Sequence, residues 1–254
     1  MSANHVTPLA QQPLNLRCLA LTGTFETSVP PPGCFGCLTG DFDGQGISYS
    51  ALQWSFGQST LQPLLMEMTT THPDVMGRIF GGQYAQLSGV LAMPRSRQLE
   101  WARSIQSVRH TPDDQWRGCF HALGETAEFQ AIAARHASSL FDGALALCRT
   151  YGLGSQRAAA LMFDIKVQNG TIGPAAHARI ERDFAGLAPG DPDVVETAKM
   201  RRVANRIADT ANIRWREDVR TRKLAVADGT GFIHGVHYDL AVQYGLTLAS
   251  WTGA

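Results

Sequence analysis

Apolar residues recur along most of this chain at intervals of three and four, the period of a helix that packs by one face. Leu14, Cys18, Leu21 and Phe25 make the first such stripe. The helix they predict ends close to Glu26, because Val29 is followed by Pro30, Pro31 and Pro32. A second stripe is Leu61, Leu64, Leu65 and Met68, with Pro63 in the first turn, where its ring is tolerated. THPDVMGRIFGG reads as a short helix stopped by Gly81 and Gly82. Tyr84, Leu87 and Leu91 predict a helix ended by Pro94, and Leu99, Ala102, Ile105 and Val108 predict another, all four facing inward. His110-Thr-Pro-Asp-Asp is a start signal for a short helix reaching about residue 123. One long helix is expected from Phe129 through Tyr151, and one from Ser155, its cap, to Gly170, its stop. A third long helix runs from Pro192 toward Val226, with Trp215 among its inward residues.

The pattern changes between Gly33 and Tyr49. There Asp41, Phe42 and Asp43 alternate and are followed by Gly44 and Gly46, which suits a short hairpin at 38–49. Ser50 is expected to cap a short helix through Trp54. The last stretch, GTGFIHGVHYDLAVQYGLTLASW, fits a turn, a strand pair or a final helix. With no internal repeat or linker, the chain reads as a loose lead-in at 1–12 and a single domain at 13–254. The fold class is α+β, mainly α-helical, in two lobes with the small β-hairpin at the mouth of a cleft.

Composition narrows the classes. Of 254 residues, 44% are hydrophobic and 17% charged, enough apolar surface for a large core. A formal net charge of zero argues against a nucleic-acid partner, and no apolar run is long enough for a membrane span. MSANHVTPLAQQPLN lacks the basic and apolar regions of a secretory signal, so the expectation is a chain made in the cytoplasm. Cys18, Cys119 and Cys148 read as small core residues. Cys34 and Cys37 in PGCFGC invite a zinc or redox reading, but no second ligand pair accompanies them. A local disulfide or two free thiols is expected there, with no metal and no cofactor.

The chemistry concentrates in residues 14–56. A carboxylic acid at a helix end and a second one on a nearby hairpin is the pairing that glycoside hydrolysis needs. One group gives a proton to the leaving oxygen while the other, ionised, activates water or stabilises an oxocarbenium-like centre. FE(26)…DGQGIS(48)…ALQW resembles the active-site signature of the lysozyme-like superfamily, its chitosanase branch above all. There a helix-end Glu precedes an Asp-Gly-x-Gly-aromatic-Thr turn. Ala51-Leu52-Gln53 is similar to the Gly-Leu-Met-Gln run of goose-type lysozymes and lytic transglycosylases. The resemblance implies Glu26 as general acid, Asp43 as the carboxylate that activates water, and Ser48 in the place of a water-orienting Thr. Asp41 and Gln53 are expected to contact substrate. Gln45 stands for the usual Arg and Ile47 for the aromatic, which bears on sugar specificity. The chitosanases are also similar at Asp164 and Gln168, four apart on one helix, where the Asp anchors a polar network that braces the catalytic groups. The alternative is a solvent-facing Asp164.

The function this implies is a lysozyme or muramidase type of glycoside hydrolase, cleaving β-1,4 bonds of peptidoglycan. A basic 192–226 helix suits an anionic wall polymer. The enzyme would act on the bacterial cell wall after delivery, as a phage lysin or a secreted effector toxin. It would be a monomer, with room for an immunity or delivery partner. Chitosan cleavage and a non-catalytic binding protein on the same scaffold are the alternatives. A cysteine peptidase using Cys34 or Cys37 is weaker, because no His-Asp pattern accompanies either. The sequence leaves open which glycosidic bond is cut and whether the product is hydrolysed or anhydro sugar.

Overall fold

The computed structural model describes residues 7–253; the first six residues of the expected lead-in lie outside them. Residues 19–137 pack as one compact unit, and residues 7–18 with 138–253 as another. The protein is α+β and mainly helical, with five short strands in two antiparallel sheets among the described residues.

Helix α1 (Leu14–Thr27) starts in one unit and ends in the other, stopping at Thr27 as the proline run requires. Leu14, Cys18 and Leu21 of its stripe are buried. In the 19–137 unit follow β1 (Leu38–Thr39), β2 (Ser48–Tyr49) and β3 (Trp54–Ser55), antiparallel in the order β1-β2-β3. Leu38 lies opposite Tyr49, and Tyr49 opposite Trp54. Six helices complete the unit: α2 (Leu61–Thr71), α3 (Pro73–Phe80), α4 (Tyr84–Leu91), α5 (Arg95–Ser104), α6 (Asp114–Gly124) and α7 (Ala127–His136). Tyr49 ties the sheet to this helical core. Its ring meets Phe120 at 4.8 Å and Phe129 at 5.1 Å, and its hydroxyl donates to the Phe120 carbonyl at 2.7 Å. From Phe120 the edge-to-face contacts continue to Phe80, and a second set joins Phe56, Trp101 and Trp116. Such pairs contribute about 0.5–1.5 kcal/mol each beyond burial, which fixes the sheet firmly despite two-residue strands.

The other unit holds α8 (Ser138–Thr150), α9 (Gln156–Asn169), α10 (Pro174–Ala185), α11 (Pro192–Thr210), α12 (Arg216–Asp228), the hairpin β4 (Thr230–Ile233) with β5 (Val236–Asp239), and α13 (Leu240–Tyr244). Helix α9 is its centre: every residue from Ala158 to Ile165 is buried. Ser155 caps it as expected, accepting from the Ala158 N–H at 3.1 Å, and Gly170 ends it.

Several expectations are corrected. The 38–49 hairpin is the first part of a three-stranded sheet, and Asp41 and Asp43 lie in the bend between β1 and β2 and not on a strand. The helix after Ser50 is absent. Ser50 and Gln53 have φ of 69° and 53°, left-handed values that a helix excludes, and Trp54 enters β3. The long helix through 129–151 breaks at Ala137 into α7 and α8. The one from Pro192 breaks at 211–215, where the Asn212 side chain accepts from the Arg214 N–H in a local turn. Trp215 is consequently exposed and not inward, and Val108, beyond the end of α5, is exposed as well.

Candidate active site

The 40–46 bend is held by α5 and by the loop that follows it. Arg103 donates to the Asp41 carboxylate at 2.7 Å and to the Gly44 carbonyl at 3.2 Å. Gln106 accepts from the Asp41 N–H at 2.8 Å and donates to the Gly46 carbonyl at 3.0 Å, so one side chain grips both ends of the bend. The Asp41 carboxylate closes the loop on itself by accepting from the Gly46 N–H at 2.8 Å. Gly46, at φ +85°, is required twice over. A side chain would be strained there, and a Cβ would press on Leu99 and Ala102 at 3.0 Å. Burial alone would raise the Asp41 pKa, but the Arg103 guanidinium and the Gly46 N–H outweigh it and hold the carboxyl below the usual range. Asp41 is therefore committed to the loop, its side chain only 8% exposed.

Asp43 faces the other way. It is exposed, accepts a turn hydrogen bond from the Gln45 N–H at 3.1 Å, and lines a cavity of about 390 Å³. Around it the cavity is walled by Thr39, Phe42, Ser48, Leu52, Gln53 and Gln58, so Asp43, Ser48 and Gln53 line one cavity. Gln53 sits in its left-handed conformation through three hydrogen bonds: Thr39 Oγ1 donates to its Oε1 at 2.7 Å, and its Nε2 and N–H both reach the Ser50 carbonyl. Strained non-glycine residues held this way gather where side chains must be aimed.

Glu26 occupies the last turn of α1 and is exposed. It is not a wall of the cavity, but its helix is set against the turn that is. Three residues before it, on the same face, Gly23 lies so near Ala51 that a Cβ would come within 2.5 Å of the Ala51 Cβ. Ala51 directly precedes Leu52 and Gln53. Gly23, Thr39, Arg103 and Gln106 are the contributors that pattern reading missed. Arg103 and Gln106 are three apart on one side, yet nothing in the sequence says which loop they meet.

In the other unit Asp164 is fully buried, which removes the solvent-facing reading. It accepts from Lys223 Nζ at 2.7 Å and Arg222 Nε at 3.2 Å, and Lys223 also donates to Gln168 Oε1 at 2.8 Å. Asp164 and Gln168 thus share a buried cation as one network. Burial pushes the Asp164 pKa up, yet Arg222 and Lys223 bring it down to about 2. Three further cations of α11 and α12 are in ion pairs. Arg201 pairs with Asp228, Arg206 with Asp183 and Asp209, and Arg220 with Asp209 and Glu217.

The cysteines do not suit nucleophilic chemistry. All five are free thiols; burial pushes Cys34 up to about 12 and raises Cys37, opposite to the shift a thiolate needs. His234 pairs with Asp218 and His237 meets the Thr230 hydroxyl, both on the exposed β4–β5 hairpin. No helix among the described residues is long and apolar enough to cross a membrane.

No family model matches the chain, and no curated protein matches it as a relative. Among solved structures, a chitosanase complex aligns over 89% of this chain and 95% of its own, at 16% identity and a TM-score of 0.49. Chitosanase OU01, co-crystallised with substrate, aligns over the same shares at 19% identity and the same score.

Proposed function

We propose that this protein is a glycoside hydrolase that cleaves β-1,4 bonds in an amino-sugar polymer, peptidoglycan glycan strands first. The observation that carries it is the convergence of Asp43, Ser48 and Gln53 on one cavity beside the turn that α1 meets through Gly23. In the proposed reaction Glu26 protonates the departing glycosidic oxygen while Asp43, ionised, takes a proton from water. Ser48 holds that water by its hydroxyl. Carboxylates from a helix end and a separate loop suit the wider spacing, roughly 6.5–9.5 Å, that admits a water and inverts the anomeric centre. The committed geometry of Asp41 supports Asp43 as the base, since Asp41 is already spent on Arg103 and Gly46.

A second substrate, chitosan, gains from two observations. The cavity wall carries one formal charge, Asp43, and no cation, which suits a sugar bearing a free amine. The arginines that made the 192–226 segment look basic are mostly paired within the protein, which lessens the case for an anionic wall polymer. Incubating the protein with purified sacculi and with chitosan, and measuring new reducing ends, tests both. Release from neither polymer overturns the proposal. Mass spectrometry of the sacculus digest then distinguishes muramidase from glucosaminidase cleavage and hydrolysed from anhydro ends.

A further inference from the structure

Phe42 lies between the two acids of the bend and is 73% exposed, although the bend itself is pinned at both ends. Its N–H bonds to the Gly40 carbonyl at 2.9 Å, and its ring meets the His110 ring edge-on at 5.6 Å and 61°. The His110 loop backs it closely, since a Cβ on Gly40 would strike the His110 carbonyl. A large apolar ring held out in water by a rigid loop forgoes burial that a relaxed loop would recover. Phe42 nevertheless forms part of the cavity wall, which also carries Leu52, the Asp43 carboxylate and the hydroxyls and amides of Thr39, Ser48, Gln53, Ser55 and Gln58. One aromatic face opposite a set of neutral donors and acceptors matches a pyranose ring, whose C–H face is apolar and whose rim carries hydroxyls.

We infer that Phe42, braced by His110, is a sugar-stacking platform that binds one pyranose ring of a β-1,4-linked hexosamine chain next to Asp43. The inference rests on the glycosidase reading for its ligand class, and continuity with the cavity selects a sugar over other occupants. An aromatic face is indifferent to the ring's amine or acetamide. The platform therefore sets affinity for the chain, while the polar wall reads its substituents.

The test compares wild type, Phe42→Ala and Phe42→Trp on chitosan and on sacculi. On whichever polymer wild type cleaves, Phe42→Ala is expected to raise KM on the order of tenfold, with a much smaller change in kcat, and Phe42→Trp to restore KM. Its exposed position predicts an unchanged melting temperature. Wild-type KM in Phe42→Ala, or a loss confined to kcat, overturns the platform and leaves the glycosidase intact. If wild type cleaves neither polymer, the glycosidase reading fails by itself. NMR titration with a glucosamine hexamer then decides the platform: shifts of the Phe42 ring resonances support it, and their absence overturns it. Self-association abolished by Phe42→Ala would assign the ring to a second copy of the chain and likewise overturn it.

Discussion

Asp164→Asn tests the buried charge cluster on α9 and α12. Asp164 and Lys223 are fully buried, the Arg222 side chain is 9% exposed, and the two cations reach the same carboxylate. Removing one partner of such a cluster typically costs about 3–5 kcal/mol, because charge is left in the interior without compensation. Asn keeps one acceptor oxygen and Gln168 still meets Lys223, so the lower end, about 3 kcal/mol, is expected. At roughly 2–4 °C per kcal/mol for a chain of this size, the melting temperature falls by about 6–12 °C. Acid adds an independent reading. The Asp164 pKa lies near 2 in the folded protein, against an ordinary 3.8. A depressed carboxyl contributes its stability above the unfolded pKa and loses it as pH falls through the folded one, here between about 4 and 2. At 1.36 kcal/mol per pKa unit, this amounts to about 2 kcal/mol, as an order of magnitude. Asp41, Glu67, Asp183 and Asp209 are also depressed and share that acid limb, so the measurement is the difference between wild type and variant. Urea titrations at pH 7 and at steps from 4 to 2 supply it. A variant as stable as wild type at pH 7, with an identical acid limb, refutes the reasoning.

Three further outcomes concern the site. Glu26→Gln keeps the shape of the acid but cannot donate its proton, so turnover per folded molecule should fall about 10²–10⁴-fold; wild-type turnover removes Glu26 from the mechanism. Asp43→Asn should be severely impaired and Asp41→Asn less so, and proton NMR of the first-formed sugar should show inversion; retention, or the opposite order of the two variants, reverses the assignment. Gly23→Ala would put a methyl 2.5 Å from the Ala51 Cβ, so calorimetry should show a loss of about 1–3 kcal/mol and activity should fall further than stability explains.

Helices were the legible part of the sequence because one-sided burial leaves a period that needs no knowledge of partners. The α1 stripe, the Pro63 placement, Ser155 and Gly170 were all readable in this way. What escaped was decided by tertiary contact. Asp41-Phe42-Asp43 alternates like a strand, but Arg103 and Gln106 bind that backbone before any sheet partner does. Ser50 has the chemistry of a cap, yet the Cys37 carbonyl takes its N–H and the turn goes left-handed. Ala137 carries no breaker signal. One periodic run there spans the point where the compact unit changes, and it splits into α7 and α8. At the site, the acids and Ser48 were visible as a motif. Thr39 and Gly23 were not, because their roles depend on residues 14 and 28 positions away.

The division of the chain between its two compact units has a consequence for synthesis. Residues 19–137 are contiguous in the chain, whereas the other unit joins residues before 19 to residues after 137. Arg17 donates to the Gly245 carbonyl at 2.7 Å and to Gln156 at 3.1 Å, and Gly245 lies so close to Ala10 that a Cβ would reach it at 2.8 Å. At about 5–20 residues per second, Ala10 and Arg17 wait on the order of tens of seconds for Gly245. Slower decoding of residues 138–245 lengthens that interval. A chain cut short before Tyr244 lacks the Gly245 carbonyl that Arg17 meets, while residues 19–137 lie wholly upstream of the cut.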